Sequence, residues 1–268
     1  MPKTKKETSE AEVKKTEEEN IADIPKELRV FIEAGVQFGH LKSHVHPGMF
    51  PYIFGVRNNV HIIDVARTSE KLDEALEVIK SLAEEGKVIL FVGTKLPMRE
   101  AVKETAEAVG MPYLVNRWFG GTLTNWATIS ERVTHLKELK EKKGTEEWKK
   151  YPKHERLEME KEIKKLEHVF GGIEQMEKLP DAVFITDARE NEIATKEARR
   201  MKIKSIAITD TNVNPANVDV AIPANDDAVS SVVLILGKVR EVILKNLPAS
   251  SKARQAGLPA GRQAKKEK

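Results

Sequence analysis

Ten consecutive residues, Asn116-Arg117-Trp118-Phe119-Gly120-Gly121-Thr122-Leu123-Thr124-Asn125, collect a guanidinium, side-chain amides, hydroxyls, flat rings and a glycine pair. Such groups suit RNA, because arginine and amides contact the sugar-phosphate backbone while rings stack on bases splayed out of a helix. The same residues admit a plainer use, in which Trp118 and Phe119 anchor the root of a helix and Thr124 or Asn125 caps it. Arg117 and Trp118 are therefore candidate RNA contacts with a structural alternative. Lys42, Arg57, Asn58 and Asn59 form a second polar group read the same way, and Lys95 adds a further cation.

His40, His44 and His46 fall within seven residues of a segment punctuated by glycine and proline, where three imidazoles could converge on zinc. No cysteine and no periodic helix support that geometry, so the alternatives are RNA-facing or core roles, and His44 and His46 join the candidate RNA contacts. Gly93-Thr94-Lys95 superficially suggests a phosphate loop, but the Walker-type and dinucleotide-binding glycine patterns are both absent. Asp187 and Asp210, each just after an apolar run, could be paired acid-base carboxylates or magnesium ligands, or could cap the next turn. No serine-nucleophile elbow occurs. Nothing here nominates a catalytic residue, a cofactor or a small-molecule substrate.

The elements that must position these groups follow from periodicity. Continuous apolar runs at Val60 to Asp64, Val88 to Val92, Tyr113 to Val115, Ala182 to Thr186, Ser205 to Thr209 and Val218 to Ile222 read as strands covered on both faces. Helical patterns fill the gaps at Ser69 to Glu84, Met98 to Val109, Asn191 to Met201 and Ala228 to Leu247, with Gly86 and Gly110 as stops. This alternation predicts a doubly wound α/β domain with a parallel sheet, built from residues 24–123 and 179–248. Residues 124–178 carry no strand signal. Trp126, Ile129, Val133 and Leu136, then Met159, Ile163, Leu166 and Phe170, repeat at three and four, which predicts an inserted coiled-coil hairpin reversing between Lys143 and Pro152.

Composition bounds the partners. The 268 residues hold 45 Lys and Arg against 42 Asp and Glu and no cysteine, which excludes disulfide scaffolds and thiolate-held metals and suits a reducing cytoplasm. No apolar run approaches a membrane span, and the first stretch lacks a signal-peptide core. Residues 1–23 are charged and read as disordered; residues 249–268, with six cations and one acid, read as a flexible basic tail. The body between is close to neutral, so polyanion binding must use local patches and this tail.

Two ordered blocks, Phe31-Ile32-Glu33-Ala34-Gly35-Val36-Gln37-Phe38-Gly39-His40 and Pro51-Tyr52-Ile53-Phe54-Gly55-Val56-Arg57-Asn58-Asn59-Val60-His61-Ile62-Ile63-Asp64, resemble the opening of the bacterial small-subunit ribosomal protein S2 family. Val92 to Lys95, Asn116 to Trp126, Gly171 to Ile173, Leu179 to Asp181 and Ile222 to Ala228 match in the same order. The resemblance spans about Pro25 to Leu247. It implies a flavodoxin-like α/β domain with an inserted hairpin of the bacterial form, no catalysis, and a place in the ribosome of the bacterial cytoplasm or of an organelle. It also implies binding to small-subunit ribosomal RNA and neighbouring ribosomal proteins, a part in subunit assembly and translation, and recruitment of ribosomal protein S1. The sequence departs from the family at Lys42 to Pro47, where His44 and His46 replace a segment that usually carries arginines and a tryptophan.

Overall fold

The computed structural model describes residues 25–145 and 147–248; both charged tails lie outside them. Helix α1 (Lys26–Glu33) leads into β1 (Phe38–Leu41), β2 (Ile53–Arg57) and β3 (Val60–Ile63), an antiparallel sheet in spatial order β1-β3-β2. β3 coincides with an expected strand, but it belongs to this antiparallel sheet and not to the parallel one, and its partners β1 and β2 lack the apolar runs of the other strands. What separates them is local: Asn58 and Asn59 take left-handed φ of 50° and 64°, the two-residue hairpin turn that matches strand twist. β3 also alternates half-buried with buried side chains instead of burying every residue.

Beyond this sheet the chain alternates. Helix α2 (Val65–Glu84) precedes β4 (Ile89–Val92), and α3 (Arg99–Val109) precedes β5 (Tyr113–Leu114). Then come α4 (Trp126–Lys143), the one-turn α5 (Glu147–Lys150) and α6 (Lys153–Phe170). β6 (Ala182–Ile185), α7 (Glu192–Met201), β7 (Lys204–Thr209), β8 (Val220–Pro223) and α8 (Val229–Asn246) complete the fold. The five later strands pair in parallel in the order β5-β4-β6-β7-β8. Counted from β4, this is the flavodoxin-like order, whose switch point lies between the carboxyl ends of β4 and β6.

The continuous apolar runs of β4 and β6 divide by alternation between two cores. Ile89, Phe91, Ala182 and Phe184 enter the layer beneath α2, α3 and α8, with the Phe91 and Phe184 ring centroids 5.5 Å apart. Leu90, Val92, Val183 and Ile185 face the other layer, covered by Ala194 and Ala198 of α7. Burying each large side chain contributes roughly 1.5–3 kcal/mol, so this two-sided sheet is the main source of stability. Gly110 closes α3 in the left-handed conformation, as its position predicts.

Helices α4 and α6 pack against each other, and ion pairs run between them from Lys140 to Glu167 at 3.0 Å and Lys143 to Glu160 at 3.3 Å. Their apolar faces also reach beyond the pair. Ile129, Val133, Leu136, Leu139, Ile163 and Phe170 are continuous with the second-face core that contains Leu90, Val92 and Leu114. Gly172, just after α6, sits against the backbone of Tyr113 so closely that no side chain would fit there. Helices α4 and α6 are thus rooted in the second face of the sheet.

Candidate nucleic-acid interface

At the switch point, residues from five separate segments converge. Asp187 follows β6, Asp210 follows β7, and Asp226 and Asp227 follow β8; the first three are buried. Lys95, after β4, places its Nζ 3.3 Å from Asp187, 3.0 Å from Asp226 and 2.6 Å from Asp227. His40 of β1 completes the cluster with Nδ1 3.1 Å from Asp210 and Nε2 3.5 Å from Asp227. Asp187 is also a cap, its Oδ1 accepting from the backbone N–H groups of Arg189 and Glu190. Gly93 is present for packing rather than for phosphate, since a Cβ there would lie 2.6 Å from Thr186 Oγ1 and Val102 Cγ2.

The electrostatics of this cluster are internal. Burial alone would lower the Lys95 pKa, but the carboxylates of Asp227, Asp226 and Asp187 hold it well above the usual lysine range. Burial, with the charges of Asp187 and Asp210 beside it, pushes Asp226 up to about 7. The Asp210 carboxylate raises His40 above its ordinary value despite partial burial. Four carboxylates face one ammonium and one imidazole, so the site repels phosphate. Lys95, a candidate RNA contact by sequence, is in the fold the counter-ion of buried acids, a role that its spacing in the sequence could not reveal.

His40, Asp210, Asp226 and Asp227 offer ligand atoms all within 4.8 Å of one another, a donor set able to hold a divalent cation. The three clustered histidines do not converge as a group. His44 is exposed at the rim of a 340 Å³ cavity that Lys95 and Asp226 also line. His46 accepts from Gly48 N through Nδ1 and so fixes the following turn. The metal-capable partners of His40 lie 170 to 187 residues further along the chain, where only the fold could bring them.

In the segment after β5, Trp118 and Arg117 separate. Trp118 is 8% exposed and donates its indole N–H to Glu197 Oε1 at 3.1 Å. The same carboxylate accepts from the backbone N–H groups of Gly121, Leu123 and Thr124 and from the Thr124 hydroxyl. Burial would raise its pKa, but these donors hold Glu197 below the usual carboxylate value. Trp118 therefore anchors the root of α4, the structural alternative that its sequence context left open beside RNA contact. Arg117 faces outward, its guanidinium 5.5 Å from the centroid of the Phe119 ring, which in turn lies 5.6 Å from that of Phe170.

The third group comes together at one end of the antiparallel sheet. Leu41 and Arg57 both pair with Val60, and Lys42 N donates to Asn59 O, so Lys42, Arg57, Asn58 and Asn59 share one exposed corner. On the same sheet a register shift sets Phe54 and Gly55 opposite Ile62, leaving Phe54 81% exposed. Phe38 and Leu41 are about half exposed. The sequence reading missed this apolar surface, although its signal was present: from Ala34 to Ile63 there is no Asp or Glu.

Residues 31–246 match the family described as Ribosomal protein S2. The chain belongs to that family. Ribosomal protein S2 is a structural constituent of the small ribosomal subunit and not an enzyme family. Membership in the S2 family implies residence in the ribosome and association with small-subunit ribosomal RNA and proteins. Among the described residues no helix is long and apolar enough to cross a membrane.

Proposed function

We propose that the chain binds small-subunit ribosomal RNA through two exposed cationic points, the corner formed by Lys42, Arg57 and Asn58 and the outward-facing Arg117, with His44 and His46 beside the first. The observation that carries this reading is the thirty-residue stretch from Ala34 to Ile63, which lacks acidic residues in a chain that holds 42 of them. A phosphate backbone can approach such a surface without meeting a carboxylate of that segment. In the same reading residues 124–178 act as a coiled-coil hairpin insertion in the α/β domain of residues 24–123 and 179–248.

The exposed ring of Phe54, with Phe38 and Leu41, supports a protein neighbour on the apolar face of the antiparallel sheet. That neighbour, in the proposal, includes ribosomal protein S1, whose recruitment, with subunit assembly in the cytoplasm, completes the reading. The test is incorporation into small subunits lacking this protein, with binding to small-subunit RNA measured across salt. Affinity should fall with a log-log slope of about 0.9 per phosphate neutralised. A flat salt response, or failure to enter the depleted subunit, would overturn the proposal. Phe54→Ala should weaken capture of S1 while leaving RNA affinity in place.

A further inference from the structure

Helices α2 and α8 flank an open groove of about 560 Å³. Its floor includes Leu76 and Val242, and its rim carries Glu70, Asp73, Glu74 and Glu77 against Lys80. Three of these acids already have partners: Arg67 at 3.1 Å from Glu70, Lys71 at 2.7 Å from Glu74 and Lys80 at 3.9 Å from Glu77. All are solvent-exposed pairs three residues apart on one helix, weakly held and readily exchanged for another cation. Asp73 has no cation within ion-pair distance among the described residues. The groove is therefore an apolar trough with a net negative rim.

The chain itself holds a segment of matching chemistry. Residues 249–268 carry Lys252, Arg254, Arg262, Lys265, Lys266 and Lys268 against Glu267, with Leu258 and Pro259 between the cations. Their starting point is fixed, because Asn246, the last residue of α8, lines the groove, and Leu247 is buried in the core. From there Lys252 lies six residues on, a reach of ~20 Å when extended. The rim from Glu70 to Lys80 spans ~15 Å of helix. Attachment at the edge, adequate reach, opposite charge and an apolar centre all favour this occupant over a separate molecule, which would also lose translational freedom on binding.

We propose that residues 249–268 dock into the α2–α8 groove of their own chain, Leu258 and Pro259 on its floor and the flanking cations on its rim. Docked, the tail neutralises the rim and withholds its positive charge from other polyanions. Ribosomal RNA then competes for the same cations, so assembly into the subunit releases the tail; this consequence rests on the RNA reading above, whereas the docking does not.

The chain contains no cysteine, so Ala260→Cys in the full-length protein accepts a single nitroxide label. Amide signals of residues 70–80 and 242–246 should lose intensity through paramagnetic broadening and recover it in 1 M sodium chloride, where the screening length is ~3 Å. Combined Asp73→Lys and Glu77→Lys, both exposed positions, should restore the signals without changing the thermal midpoint. Absent broadening, broadening spread evenly over the surface, or broadening that survives the charge reversal overturns the docking. Mixing labelled unlabelled-isotope chains with isotope-labelled chains lacking the nitroxide should leave the groove signals sharp; broadening there means docking onto a second copy and overturns the intramolecular form. Adding small-subunit RNA should sharpen the groove signals, and a tail that stays docked while gel retardation shows bound RNA overturns the release. No retardation at all counts against the RNA reading and leaves the docking standing.

Discussion

Glu197 Oε1 accepts the indole N–H of Trp118 at 3.1 Å, joining the middle of α7 to a loop 79 residues earlier in the chain. Both oxygens of that carboxylate are engaged, Oε1 also by Gly121 N and Oε2 by Leu123 N, Thr124 N and Thr124 Oγ1. One side chain thus satisfies the donors of a turn that would otherwise hold unpaired amides at the start of α4.

Glu197→Gln keeps the volume but turns an NH₂ toward donors on whichever side it occupies. Each buried donor left unmet costs about 1–3 kcal/mol, so the substitution should destabilise by about 3 kcal/mol. For a domain of this size that is a drop of roughly 6–12 °C in thermal midpoint. An unchanged midpoint would show that the loop does not depend on Glu197.

Lys95→Met tests whether Lys95 serves the fold. It removes the ammonium shared by Asp187, Asp226 and Asp227 and leaves buried like charges beside one another. Loss of one partner of a buried pair costs about 3–5 kcal/mol, and partial exposure of Lys95 sets the expectation at the lower end. RNA affinity per folded molecule should stay the same; a selective loss of affinity with intact stability would return Lys95 to the interface.

Stability should peak in mildly acidic solution. His40 is raised above 6.5, so its contribution is complete below that pH and fades as pH climbs through the raised value. Asp226, moved from 3.8 to about 7, favours the fold while protonated and opposes it once ionised, which acts in the same direction. Glu197, held below 4.5, contributes above that value and is lost as pH falls through its folded pKa. Because Asp226 already opposes the fold increasingly as pH rises from 3.8 toward 7, the maximum lies near pH 4.5, where Glu197 is ionised and Asp226 still protonated, with a decline of roughly 2 to 4 kcal/mol toward pH 8. Calorimetry across pH checks it, and Asp226→Asn should flatten the alkaline side of the curve.

Arg117→Ala should cost about 1–3 kcal/mol of RNA affinity, by analogy with a well-formed guanidinium contact to nucleic acid. Its only intramolecular partner on the described surface is the Phe119 face, worth about 0.5–1 kcal/mol at an exposed site, so the midpoint should barely move. Arg117→Lys should recover part of the affinity. Measuring both quantities on one preparation decides the matter: a lowered midpoint with normal affinity would make the residue structural.

Much of the fold was readable because its signals are local. The apolar runs of β4, β6 and β7 and the stop at Gly110 declare themselves within a few residues. β1 and β2 were not readable in the same way, since β1 carries His40 and Gly39 in four residues and β2 exposes Phe54 and Val56. The candidate site divides along the same line. Exposure of Arg117 and Lys42 follows from their type, whereas the burial of Trp118 depends on Glu197 and the neutralisation of Lys95 on Asp226, partners that periodicity cannot pair with them. Charge alone made Lys95 and Arg117 look alike; only distance tells a counter-ion from a free hand.

The His40 contacts also impose a timetable on biosynthesis. Asp210 and Asp227 are made 170 and 187 residues after His40, which at about 5–20 residues per second is a wait of roughly 10–40 s. During that interval the residues of the antiparallel sheet are present without the acids that fasten the sheet to the later half of the chain. Phe38 and Phe54 stay exposed even in the finished fold, so the growing polypeptide should be most open to chaperones and to premature association before Asp227 has left the exit tunnel.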